Sequence, residues 1–171
     1  MVSSKRFAIG WVALVACAAL LGACSSSSDE SAATCVGHTS SAASTPMSKT
    51  VSFKDDVLPI FEQSCVFSSC HGSKTGGNNG IYLGARGSSN ATEIRDALVG
   101  KSSTRMPSMK YVTPFRPESS YLLHKLDGNF CGLDACAEGK CGDRMPKGGD
   151  ALEPSQLELV QAWIAQGASD K

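Results

Sequence analysis

"MPKGGDALEPSQLELVQAWIAQGA", residues 145–168, holds the clearest structural signal in the chain. Ser155-Gln156-Leu157-Glu158 has the form of a capping box: a hydroxyl that accepts from the amide three residues on, and an acid that reaches back. Leu157, Val160, Trp163 and Ile164 follow at the spacing of one helical face, and Gly167 stands where the last turn should stop. The stretch predicts a capped helix with one apolar face, entered from a Gly-rich loop.

The same signs recur upstream. Ser52-Phe53-Lys54-Asp55 resembles a capping box, with Phe53, Val57, Ile60 and Phe61 on one face and Pro59 set to kink or restart the helix. Asn90 and Glu93 bracket another box, closed by Gly100. Pro117 opens a helix carrying Leu122, Leu123 and Leu126 and stopped by Gly128. No segment of useful length alternates apolar and polar residues. The expectation is a small all-α domain over 51–169 with long Gly/Ser loops at 72–89, 100–116 and 128–154. Loops of that length need an organiser, and four short helices offer a small core. A large apolar cofactor, disulfides, or both would supply what is missing.

Ahead of this domain, residues 1–23 read as a signal peptide. Lys5 and Arg6 form a basic start, and Phe7–Leu21 is an apolar run of fifteen residues, short for a membrane span. Leu21-Gly22-Ala23-Cys24 resembles the lipobox of bacterial lipoproteins. That resemblance implies a diacylated Cys24 as the new N-terminus and anchorage to a membrane by lipid. By resemblance to the sorting rules of enteric lipoproteins, Ser25 in place of an acid implies the outer membrane. Residues 24–50, rich in Ser, Ala and Thr, predict a flexible tether. The whole chain balances 16 basic against 16 acidic residues, so it presents no electrostatic case for nucleic acid. Without residues 1–23, which hold two bases and no acid, the formal charge becomes −2. The compartment implied is periplasmic or cell-surface, where disulfides persist.

"QSCVFSSCHGS", Gln63–Ser73, bears the chemistry. Covalent attachment of a c-type haem needs two thiols for the vinyl groups and an imidazole placed to reach the iron, usually as Cys-x-x-Cys-His. Here four residues separate Cys65 from Cys70, and His71 follows at once. Two intervening residues set thiols about 60° apart on a helix, and four set them about 140° apart. Both thiols can reach one porphyrin only if Val66–Ser69 bulges out of helical form. Otherwise Cys65 and Cys70 are disulfide cysteines and His71 a surface residue.

"VSFKDDVLPIFEQSC", "CHGS", "PESSYLLHKLDG" and the closing "MPKGGDALEPSQLELVQAWIAQGA" occur in the order found in a family of bacterial cytochrome c-like domains, which this chain resembles across nearly the whole of 51–168. The resemblance implies one haem c attached through Cys65 and Cys70, with His71 and Met145 as the iron ligands. A thioether opposite an imidazole favours reduced iron and suits electron transfer. Arg105-Met106-Pro107 repeats Arg144-Met145-Pro146, so Met106 and nearby Met109 are rivals for the distal place. His124 falls off the apolar stripe of its helix and reads as a solvated residue.

Cys131, Cys136 and Cys141 stand five apart, a spacing that zinc sites do not favour, and with Cys35 they are disulfide candidates. If Cys17 leaves with the signal, Cys24 carries lipid and Cys65 and Cys70 carry haem, four of the eight cysteines remain, enough for two bridges. No Gly-x-Ser-x-Gly elbow, P-loop spacing or paired-carboxylate frame occurs. The expected function is one-electron transfer to and from redox partner proteins by a lipid-anchored carrier that is not an enzyme. The alternative is a haem-free, disulfide-stapled lipoprotein serving as a binding or structural module. A five-coordinate haem doing peroxide chemistry is a third reading, without a distal His or Arg frame behind it.

Overall fold

Pro59 shapes the first helical element. It cannot donate to Asp55, and its ring crowds the turn before it. The chain responds by winding wider: Phe53–Val57 is a π-helical turn in which the Leu58 amide reaches back five residues to the Phe53 carbonyl. Helix α1, Leu58–Ser64, then runs on with Pro59 in its first turn. Ser52 caps the start, its hydroxyl accepting from the Asp55 amide at 3.2 Å. The carboxylate that reaches back to the Ser52 amide is that of Asp56, at 2.8 Å, and not that of Asp55. Asp56 also accepts from Lys49 at 2.7 Å, which, with the Ser52 amide, holds its carboxyl below the usual range.

The computed structural model describes residues 49–75, 81–130, 133 and 141–170. The expected signal peptide, the lipidation site Cys24, the tether up to residue 48, and the disulfide candidates Cys35, Cys131 and Cys136 lie outside these residues. Within them, four α-helices follow in order: α1; α2, Ala91–Leu98; α3, Tyr121–Asp127; and α4, Pro154–Ala165. Among the described residues the only β features are isolated bridges, such as Val99 with Val112.

The core lies where α4 packs against the π-turn that leads into α1. Trp163, Phe53 and Phe61 are fully buried; Phe53 stands with its centroid 5.0 Å from Trp163 and 6.0 Å, edge-on, from Phe61. Such ring pairs add about 0.5–1.5 kcal/mol each beyond the area they bury. Ile94 and Leu98 of α2 and Leu122, Leu123 and Leu126 of α3 complete the cluster. The end of α4 also ties in the start of the domain: Gln166 accepts from the Val51 amide at 2.8 Å and donates to the Lys49 carbonyl at 3.1 Å.

Three details depart from the sequence reading. The capping box of α4 is formed by Glu153 and Gln156, two residues ahead of Ser155 and Glu158, because Pro154 supplies a preset φ and lacks the amide that a cap would have to satisfy. The helix opened by Pro117 is broken: a 3₁₀ turn, Pro117–Ser119, stops at extended Ser120 before α3 begins. The loop at 100–116 organises itself. Its two arms exchange backbone bonds, Gly100 N to Val112 O (2.9 Å), Tyr111 N to Lys101 O (2.8 Å) and Ser103 N to Met109 O (2.8 Å). Among the described residues, no helix is long and apolar enough to cross a membrane.

Candidate functional site

The C-terminus of α1 delivers Cys65, whose amide still makes a helical bond to Phe61 O at 2.8 Å. The chain then leaves the helix. Cys70 and Gly72 amides both turn back onto the Phe67 carbonyl, at 2.8 and 3.0 Å, and the His71 amide returns to the Cys65 carbonyl at 3.1 Å. That last bond answers the spacing problem. With a two-residue spacer, His would be four residues past the first Cys, and an ordinary helical turn would join its amide to that Cys carbonyl. Here the same two groups are joined with two more residues between them, and Val66–Ser69 forms the excursion. Gly72 permits this closure: a Cβ there would fall 2.2 Å from the Val66 carbonyl oxygen.

His71 is held from three sides. Besides its amide, its carbonyl accepts from Leu83 N at 2.9 Å, and its Nδ1 lies 3.0 Å from the Ile81 carbonyl oxygen. A carbonyl only accepts, so Nδ1 is the donor of this contact, an arrangement that points Nε2 away from it. A backbone carbonyl behind one ring nitrogen is the usual support for a metal-ligating imidazole. The segment that supplies Ile81 and Leu83 is itself fastened to α1, through Gly87 N to Glu62 Oε2 (3.3 Å) and Arg86 to Gln63 O (3.4 Å). Ser89 and the Gly87 amide keep the Glu62 carboxyl below its usual range.

The two thiols differ. Both are free, but Cys65 is 7% exposed within the apolar core, whereas Cys70 is exposed. Burial pushes the Cys65 thiol from 9.0 up to about 12, with Cys70 adding to the shift. Cys65 is therefore a neutral thiol at working pH. Beside them, Phe67 stands 52% exposed under the Arg86 guanidinium, 5.3 Å from its ring centroid.

Met145 arrives on a second loop, half-buried against the same core to which Cys65 belongs. Helix α3 holds this loop. The Met145 amide donates to Lys125 O at 2.6 Å; Tyr121 Oη donates to Cys141 O at 2.5 Å; Lys125 Nζ donates to Cys141 O at 3.4 Å and to Asp143 O. Burial lowers the Lys125 ammonium from its usual value and raises the Tyr121 phenol. Arg144, next to Met145, packs its stem on Gly128 and donates through Nη2 to Gly149 O at 2.8 Å, while its buried Nη1 has no partner among the described residues.

The rival methionine sits in different surroundings. Met106 is 6% exposed inside the 100–116 loop, its amide on Ser103 Oγ at 3.1 Å, and is not part of the main apolar cluster. Its neighbour Met109 is bound to it through the backbone, N to Met106 O, at 2.9 Å. His124 corrects the sequence reading: it is buried, 3% exposed, with Nδ1 2.6 Å from the carbonyl oxygen of Asn129, just past the end of α3. Among the described residues, no group of three or more His, Cys, Asp and Glu side chains could hold a metal ion.

A haem site asks less than such a group: one imidazole, one soft second ligand, thiols near the imidazole and partners for two carboxylates. His71 with exposed Cys70 beside it and, on a separate loop, Met145 and the Nη1 of Arg144 are the groups such a site would draw on. Cys65 fits as an uncharged sulfur in an apolar setting. Sequence reasoning missed Lys125, Tyr121 and Arg144; the position of Arg144 directly before Met145 was the available signal. Compared with family models, curated proteins and solved structures, the chain matches none.

Proposed function

We propose that this protein is a lipid-anchored, one-electron carrier at the periplasmic or outer cell surface, holding a single haem c on the loop from Cys65 to His71. The observation that carries the reading is the closure of that loop: the Cys65 carbonyl and the His71 amide meet as they would across a two-residue spacer, and His71 Nδ1 is held on the Ile81 carbonyl. In this reading Cys65 and Cys70 hold the porphyrin by thioethers, and His71 and Met145 ligate iron. When bound, the haem supplies a reversible one-electron couple. The chain's own part is to fix the imidazole against Ile81 O, to keep Cys65 out of water, and to hold the Met145 loop on Lys125 and Tyr121.

A second reading, a haem-free stapled module, draws on the deep packing of Cys65 and its unreactive thiol. Expression with a c-type cytochrome maturation system and a denatured, pyridine-treated spectrum separates the two. The electron-carrier reading predicts a c-type haem band. An absent band leaves the haem-free module. In the haem-loaded protein, Met145→Ala should abolish the charge-transfer band of methionine ligation and Met106→Ala should keep it; the reverse would move the ligand to the 100–116 loop.

A further inference from the structure

Arg144 is fixed at both ends of its side chain. Its stem lies against Gly128, where even an added Cβ would come within 3.0–3.1 Å of it, and Nη2 is spent on Gly149 O at 2.8 Å. Nη1 is buried and has no hydrogen-bond partner among the described residues. A guanidinium keeps its charge throughout the physiological range, and a desolvated cationic N–H left unpaired is costly. The acid on the same loop, Asp143, does not serve it, being paired with Lys147 at 2.8 Å. The site thus has a directed cationic donor with no anion paired to it among the described residues.

We propose that Arg144 is the anion-binding residue of the haem site, its Nη1 pairing with one propionate of the porphyrin. The proposal rests on the haem reading above. Arg144 immediately precedes Met145, so a group ligated by Met145 comes to a residue whose neighbour offers a fixed charge-assisted donor. A porphyrin brings two carboxylates to such a site. Arg144 acts as a binding and positioning residue, and its cation beside the ring favours the reduced, less positive iron.

The test uses haem-loaded protein: wild type, Arg144→Gln, Arg144→Lys and Lys147→Gln. Haem content is read first from the pyridine spectrum; a wild type without haem ends the haem reading itself. With haem present, Arg144→Gln should lower the midpoint potential and bring a propionate titration into its pH dependence, and Arg144→Lys should restore most of the wild-type value. Lys147→Gln removes the same charge from an exposed place on the same loop and should shift the potential far less. Equal shifts in Arg144→Gln and Lys147→Gln, or none in either, overturn the proposal. A wild-type measurement covers the case in which Arg144→Gln does not mature. With ¹³C-labelled propionates, one carboxyl should stay ionised to markedly lower pH than the other; two that titrate together overturn the pairing.

Discussion

The loop from Cys65 to Leu83 and the loop from Cys141 to Gly149 carry the two proposed ends of the iron axis, and they are held by different means. The first closes on itself: backbone bonds join His71 to Cys65, Cys70 and Gly72 to Phe67, and Leu83 to His71. Its shape depends on one residue having no side chain, Gly72. The second makes its decisive bonds to another element, the Tyr121 hydroxyl, the Lys125 ammonium and the Lys125 carbonyl of α3. A loop that closes through its own backbone is sensitive to steric change within it. A loop pinned by side chains is sensitive to changes elsewhere. The proposed imidazole is accordingly placed by local geometry, and the proposed thioether by tertiary contacts.

This contrast can be broken by substitution. Gly72→Ala should have the largest effect, about 3 kcal/mol in chemical denaturation, because the new Cβ meets backbone atoms that cannot turn aside. It should also sharply reduce haem retention; a stable, fully loaded Gly72→Ala would show that the first loop does not need its closure. Lys125→Met should cost about 2 kcal/mol by removing charged bonds to two carbonyls. In the loaded protein it should weaken the methionine band while leaving attachment at Cys65 and Cys70 intact, and loss of attachment instead would mean that the loops are not independent. Tyr121→Phe should do the same on a smaller scale, about 1 kcal/mol, for its one bond to Cys141 O.

The smallest effect concerns pH. The folded-state value for Cys65 is raised from 9.0 to about 12, so the unfolded chain loses its proton first as pH rises. The haem-free protein should therefore lose stability above pH about 9, by about 0.8 kcal/mol between about 8 and about 9.5, relative to Cys65→Ala. A thioether at Cys65 cannot titrate, so the loaded protein should lack this decline. If loaded and haem-free proteins decline alike, Cys65 is not attached.

Helix positions could be read in the sequence because caps and apolar spacing are local. Ser52, Asn90, Gly128 and the face of Val160, Trp163 and Ile164 all act where expected. The errors arose where two local signals competed. Ser155 looked like a cap, but Pro154 moved the start to Glu153. Ser120 broke the helix that Pro117 opened. His124 was misread because the stripe of α3 says which face meets the core but not that a residue off it is buried as well. At the site, the types and order of Cys65, Cys70 and His71 were plain. The bond from residue 71 to residue 65 was not, since no helical or turn rule has that period. The duplicated Arg-Met-Pro shows the same limit: only the packing distinguishes Met106, enclosed in its own loop, from Met145, set against the main core.

The most direct test of the account is peptide mass spectrometry of the matured protein after denaturation, reduction and alkylation. The account predicts that the peptide spanning Cys65 and Cys70 carries the mass of one haem and no alkyl group. Two alkylated cysteines and no haem mass on that peptide would contradict it.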